Sequence, residues 1–159
     1  GALGALATLE ATRPGVAAGA LGIARAAYEF ALEYAQDRKQ FGKPLWQHEA
    51  VGFKLADMAM KIDAARLLIW RAGWMATQNR PFERAEGSMA KCFAADVAMD
   101  VTTDAIQVLG GYGYIKEYPV EKWFRDAKIY QIWEGTAEIQ RLVISRAIAG
   151  QRAAIKLRG

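Results

Sequence analysis

The sequence predicts an all-α fold, an antiparallel up-and-down four-helix bundle with one extra short helix. Alanine is abundant and only four prolines interrupt the chain, which favours long helices. Large apolar residues recur at helical spacing through long segments, and no stretch sustains the alternation of a strand. Short connections join these segments, as neighbours in a bundle require.

The first helix is expected from about Pro14 to Gln36. Pro14 suits the first helical position, where a missing N–H breaks no hydrogen bond. Val16, Leu21, Ile23, Phe30 and Leu32 give this helix its apolar positions, and Gly15, Gly19 and Gly22 would permit close packing. The second helix is expected from about Leu45 to Gln78, with Phe53, Leu55, Met58, Ile62, Ala65, Leu68, Ile69, Ala72 and Met75 at helical spacing. Asn79-Arg80-Pro81 is its stop signal. A third, from about Arg84 to Leu109, carries Met89, Phe93, Val97 and Val101 and closes at Gly110-Gly111. Tyr118-Pro119 opens the short helix, through about Ala127. The last helix starts near Thr136, a good N-cap, and carries Ile139, Leu142, Val143 and Ile148.

A chain of 159 residues is most simply one domain and long enough to bury a core. A net charge of +4 with basic residues spread along the chain gives no nucleic-acid arm, and the one local concentration, Arg38, Lys39 and Lys43, suits an anionic cofactor. Cys92 is alone, so no internal disulfide forms, and Ala90, Phe93, Ala94 and Ala95 around it mark a buried small hydrophobe. No apolar run is long enough to span a bilayer. Gly1 to Leu9 lacks the basic start of a secretory leader, and there is no initiator Met, so the sequence reads as beginning inside a longer chain.

Several chemistries are excluded. His48 is the only histidine, so a ferritin-like di-metal bundle, which needs two Glu-x-x-His pairs, cannot be built, and no metal site is expected. No motif supports a nucleophile–histidine machine around it. Gly110-Gly111-Tyr112-Gly113 lacks both the preceding strand and the glycine spacing of a dinucleotide fingerprint. Asp96, Asp100 and Asp104 form an acidic stripe that reads as paired with neighbouring cations or solvent. Trp70 and Trp74 share a helix face and read as packing or interface residues.

Glu134 is the conspicuous titratable residue. It lies between the apolar Ile132-Trp133 and Gly135-Thr136, where the chain should leave a loop and enter the last helix. A carboxylate there is compatible with a purely structural role beside a helix N-terminus. It is equally placed for proton abstraction against apolar surface, and Thr136 already supplies the cap.

The stretch from Glu117 to Arg141, which includes Ile129-Tyr130-Gln131-Ile132-Trp133-Glu134-Gly135-Thr136, closely resembles the acyl-CoA dehydrogenase family, especially its medium-chain members. So do Thr12-Arg13-Pro14, Asp37-Arg38-Lys39-Gln40-Phe41-Gly42-Lys43 and Gln107-Val108-Leu109-Gly110-Gly111, in family order across nearly the whole chain. The resemblance implies the C-terminal helical-bundle domain of a flavoenzyme that oxidises acyl-CoA thioesters to trans-2-enoyl-CoA. In the family the glutamate at the position of Glu134 takes the α-proton and the β-hydrogen leaves as hydride to N5 of FAD. The thioester carbonyl is polarised by a flavin ribityl hydroxyl and by this glutamate's own N–H, which stabilises the developing enolate. Some relatives place the base at the position of Thr12, and threonine cannot do that work. A nitroalkane-oxidising branch has aspartate where this chain has Glu134, which favours the acyl-CoA reading.

The resemblance further implies substrate contacts for Arg13, Glu10 and Gly135. Leu9-Glu10 stands where the family often has Phe-Asp, so the acid is kept in kind. Arg38, Gln40 and Phe41 match a turn that reaches the flavin diphosphate of a neighbouring subunit, a task suited to the arginine fork. His48 falls on a further flavin-contacting position or is a packed or capping histidine. Glu49 replaces the family's glutamine, so that contact is not carried over. Gln107, Gly110 and Gly111 match the segment approaching the adenine end of a neighbour's FAD, and Thr136 and Glu138 match flavin contacts after the base.

The implied partners are acyl-CoA, other copies of the chain in a homo-oligomer (a tetramer in the complete enzyme), and electron-transferring flavoprotein as acceptor. Neither nucleic acid nor a membrane span is expected. The location would be cytoplasmic in a bacterium or the mitochondrial matrix in a eukaryote, with no targeting signal in this chain. The family's N-terminal helical and middle β domains are absent from it, so activity of the chain alone is not expected. The rival reading is a non-catalytic helical module kept for oligomerisation.

Overall fold

A computed structural model describes the backbone of residues 2–156 and the side chains of residues 10–150. The leader reading of Gly1 to Leu9 lies outside the described side chains. The described chain forms α1 (Ala2–Asp37), β1 (Lys39–Gln40), β2 (Lys43–Pro44), α2 (Glu49–Thr77), α3 (Glu86–Leu109), α4 (Val120–Lys128) and α5 (Ala137–Lys156). Single 3₁₀ turns occupy Leu45–Gln47, Gly110–Tyr114 and Ile129–Gln131. The all-α expectation holds, apart from the small β1–β2 hairpin. Helix α3 packs against each of the other four helices and is the hub of the fold.

The core is built from alanine. Ala17, Ala20, Ala24, Ala27, Ala31 and Ala35 form a continuous buried stripe on α1, which packs principally on α3 and its buried Ala90, Ala94, Ala98, Val101 and Ala105. Leu21, Ile23, Phe30 and Leu32, expected as the core face, pack along its margins instead. Methyl side chains let two helix backbones approach closely, and the larger residues then seal the groove on either side.

Other expectations are corrected. Helix α1 starts well before Pro14, which lies inside it. Alanine and leucine propagate the helix N-terminally, and the proline removes one backbone hydrogen bond without ending it. Of the three glycines expected at a close contact, only Gly19 makes one: a Cβ there would lie 2.7 Å from the Tyr130 hydroxyl, whereas Gly15 and Gly22 face open space. Helix α2 begins at Glu49 rather than Leu45, because Phe41 and Gly42, at φ 52° and 78°, close a two-residue hairpin ahead of it. Lys39 pairs with Pro44 and Gln40 with Lys43.

Helix α2 buries Leu55, Met58, Ile62, Ala65 and Ala72. Phe53, expected on that face, points outward with Met60, Leu67 and Trp74, a row at seven-residue spacing joined by the exposed Trp70. Ile139, Leu142 and Ile148 of α5 are also largely exposed. Asn79, at φ 52°, follows the end of α2, and Gly110, at φ 63°, closes α3, as their sequence positions suggested. The acidic stripe is paired: Asp96 with Arg141 at 2.5 Å, Asp100 with Lys61 at 2.8 Å and Asp104 with Lys54 at 2.9 Å. These pairs are largely open to water and are worth up to about 1 kcal/mol each. Among the described residues, no cluster of His, Cys, Asp or Glu is arranged to hold a metal ion, and no helix is long and apolar enough to cross a membrane.

Candidate active site

The turn between the Ile129–Gln131 3₁₀ turn and α5 carries Glu134. Backbone N–H groups of Ile132 and Trp133 both reach the Ile129 carbonyl, which tightens the chain before it reverses. Reversal puts Glu134 at φ 54° and Gly135 at φ 91°. A non-glycine residue in the left-handed region costs about 1–2 kcal/mol, so the surroundings must hold Glu134 there.

They do so through its carbonyl oxygens. Lys91 of α3 donates from Nζ to the Gly135 carbonyl at 2.7 Å. Gln140 of α5 donates from Nε2 to the same carbonyl at 2.9 Å and to the Glu134 carbonyl at 3.1 Å. Thr136 then caps α5, its hydroxyl accepting from the Ile139 N–H at 3.3 Å. Glu134 is half-buried as a residue, and its carboxylate accepts an exposed hydrogen bond from the Thr12 hydroxyl at 3.0 Å. Ile132 and Trp133 beside it are half-exposed apolar surface.

Arg13 lies beneath this turn, 3% exposed. It stands well inside α1. Its Nη1 donates to Glu10 at 2.5 Å and to the Ser88 hydroxyl at 2.8 Å. A Cβ on Gly135 would come within 3.5 Å of its Nη2. Glu10 in turn accepts the Ser88 N–H at 2.9 Å and the Ser88 hydroxyl at 2.7 Å, so its carboxylate caps the first turn of α3. Two buried polar atoms, Arg13 Nε and Gln140 Oε1, have no hydrogen-bond partner among the described residues. Burial pushes the Lys91 ammonium below its ordinary range and the Cys92 thiol above its own.

The remaining site residues fall in three places. Arg38 and Gln40 lie beyond the far end of α1, roughly 37 Å from Arg13 at 1.5 Å per residue. With Tyr34, Leu109, Gly110, Gly111 and Tyr112 they line an open groove of about 550 Å³. The Arg38 guanidinium carbon lies over the Tyr112 ring, 5.6 Å from its centre. Phe41, at the hairpin tip, is 93% exposed and meets the His48 ring edge-on, while His48 Nε2 lies 3.0 Å from the Gln40 carbonyl. His48 stands at the N-cap of α2 without capping it through its side chain. Gln107 opens instead onto a separate groove of about 580 Å³ with Ile106, Tyr114 and Phe124. Thr136 and Glu138 line a third, of about 250 Å³, with Asp96, Lys128 and Arg141. The Glu138 carboxyl is held below its ordinary range by its own backbone N–H and then by the Thr136 hydroxyl.

Lys91, Gln140 and Ser88 were missed as site residues. The signal for Lys91 was a lone lysine among Ala90, Cys92, Ala94 and Ala95 in a segment with no polar face at that position. Gln140 and Ser88 carry no signal that separates them from ordinary polar residues.

Residues 1–149 match the family described as acyl-CoA dehydrogenase, C-terminal domain. The chain is 54% identical over 144 residues to a probable acyl-CoA dehydrogenase FadE25 of Mycobacterium tuberculosis, covering 91% of this chain and 37% of that protein. Butyryl-CoA dehydrogenase from Megasphaera elsdenii superimposes with a TM-score of 0.86 at 52% identity, over 89% of this chain and 37% of that one. A chain solved in a study of the electron transferring flavoprotein of Acidaminococcus fermentans gives a TM-score of 0.86 at 51% identity over the same shares. This sequence thus spans little more than a third of the relatives it matches. The chain belongs to the acyl-CoA dehydrogenase family and corresponds to its C-terminal domain.

Proposed function

We propose that this chain supplies the catalytic base of a flavoenzyme that oxidises acyl-CoA thioesters to trans-2-enoyl-CoA, and that Glu134 is that base. The observation carrying this reading is the Glu134 turn, in which a carboxylate is held on a left-handed residue by bonds to the turn's carbonyls. FAD, when bound, supplies the acceptor for the β-hydride. Glu134 takes the α-proton, and its backbone N–H serves the thioester oxygen, where negative charge develops. Thr12 orients the carboxylate through its 3.0 Å hydrogen bond. Because Thr12 touches Glu134, the two positions at which relatives place a base open onto the same point. Arg13 and Glu10 hold α1, the start of α3 and the turn in register, with Gly135 allowing the chain to pass over them.

The donor set at the far groove suits the diphosphate of FAD: a guanidinium, the polar Gln40 and the backbone of Gly110-Gly111 beside aromatic surface. Arg38, Gln40, Phe41, His48, Gly110 and Gly111 would hold it, with Gln107 toward its adenine, whereas Thr136 and Glu138 would meet the flavin of a second FAD beside Glu134. The Glu134 turn and the Arg38 groove lie at well-separated points along α1, which supports assigning them to cofactors of different copies and hence a homo-oligomer, a tetramer in the complete enzyme. An electron-transferring flavoprotein is the proposed acceptor. The N-terminal helical and middle β domains would lie outside this sequence.

The test is Glu134→Gln in the complete enzyme. It should retain flavin absorbance and lose bleaching by butyryl-CoA in stopped flow, a fall of at least about 10²-fold for removing a general base. Near-normal reduction would remove Glu134 from this role. A folded complete enzyme without flavin absorbance would favour the rival oligomerisation module.

A further inference from the structure

Lys91 sits in an unusual place for a lysine. It is 1% exposed, on the face of α3 that also buries Ala95, Ala98 and Thr102. Charged and titratable groups around it are Cys92, Arg13, Asp96 and Glu134, and no carboxylate pairs with it in a salt bridge among the described residues. Among the described residues, its one hydrogen bond runs to the Gly135 carbonyl.

The Gly135 carbonyl does not depend on that bond alone. Gln140, a neutral donor, 0% exposed, already satisfies the same carbonyl at 2.9 Å. Burying an ammonium without a carboxylate partner is unfavourable, and a well-packed apolar replacement at such a site is commonly neutral or stabilising. What the second, cationic donor adds is geometric. Gln140 grips the turn from α5, the helix that follows it, which meets α3 at its own first turn through Asp96–Arg141 and Cys92 rather than at the Glu134–Gly135 turn itself. Lys91 reaches it from α3, which is locked to α1 by the alanine core and to Arg13 and Glu10 through Ser88.

We infer that Lys91 is a positioning residue for the reaction, fixing the Glu134–Gly135 turn to the rigid α1–α3 pair so that the carboxylate and N–H of Glu134 meet the substrate in register. This rests on the proposed role of Glu134. Displacement of reacting groups by about 1 Å lowers rates by about 10²-fold, so a tether lost at the turn should appear in the chemical step more than in binding.

Lys91→Met keeps the volume and removes the donor and charge. In the complete enzyme its limiting rate of flavin bleaching by butyryl-CoA should fall about 10²-fold, while the concentration for half-maximal rate changes less than about threefold. Its urea midpoint should equal or exceed that of the unmodified enzyme. Unchanged bleaching together with a lowered midpoint would make Lys91 structural and overturn the inference. If Lys91→Met does not fold, Lys91→Arg and Lys91→Gln decide: the arginine should keep at least a tenth of the rate and the glutamine should not, and equal rates overturn it. Glu134→Gln measured alongside separates the two readings. If it reduces normally, the base assignment has failed. If it is inert while Lys91→Met reduces at the unmodified rate, only the Lys91 inference has failed.

Discussion

Gly135, in the turn before α5, and Gly15, inside α1, should respond to alanine with opposite sign. At Gly135, φ is 91°, a conformation that costs an L-residue about 1–3 kcal/mol. The new Cβ would also lie 2.8 Å from Gln140 Nε2. Gln140 is fully buried and cannot swing away into solvent. Losing its bonds to the Glu134 and Gly135 carbonyls adds about 0.5–1.5 kcal/mol for each. The expected destabilisation is therefore roughly 2–6 kcal/mol. At Gly15, inside α1 and exposed, an added Cβ meets nothing within 4 Å. Alanine there should stabilise by about 0.5–1 kcal/mol through the unfolded chain's lost freedom. Urea unfolding of the 159-residue chain, followed by helical circular dichroism, measures both. A Gly135→Ala variant within about 0.5 kcal/mol of the parent would mean that the turn is not held as described, whatever its sequence motif.

Two further outcomes follow from the arrangement. Arg38→Ala in the complete enzyme should lower flavin content and oligomer mass together, because the groove it lines is proposed to take a neighbour's cofactor; flavin absorbance and sedimentation on one preparation check it, and loss of neither returns Arg38 to a solvated turn. The 159-residue chain by itself should be helical, colourless after incubation with FAD and desalting, and self-associated through the outward row Phe53, Met60, Leu67, Trp70 and Trp74; a monomeric, yellow preparation would contradict both the partner surface and the need for further domains.

Features set by neighbouring residues were legible in the sequence. Thr136 caps α5, Gly110 ends α3 and Asn79 follows α2, because each depends only on local backbone geometry. The acidic stripe on α3 was legible for a related reason: like charges at helical spacing need cations opposite, and α2 and α5 supply them. What escaped depends on distant packing. Alanine signals helix propensity and says nothing of burial, so the central α1–α3 contact was hidden behind the larger residues at its margins. Pro14 suggested a start because the contact of Glu10 with Ser88, which holds the helix before the proline, joins residues far apart in sequence. Likewise, Glu134 stood out by its neighbours, whereas Lys91 acts on the turn from another helix.

The alanine core also bears on how the two ends of the domain cooperate. On the proposed reading, α1 meets the base at Thr12 and reaches a neighbour's cofactor just past its last turn, about 37 Å further on along a single helix. A contact made of methyl groups has few alternative rotamers, so α1 and α3 cannot slide by repacking side chains as leucine-rich helices can. Each end of the pair is tied down separately, by Arg13, Glu10 and Ser88 near the base and by Tyr34, Arg38 and Tyr112 near the groove. The helix pair thus acts as a fixed spacer. Placing a cofactor at one end sets where the base stands in the next copy, and the separation is written in the stretch of α1 that follows Arg13 rather than in any loop.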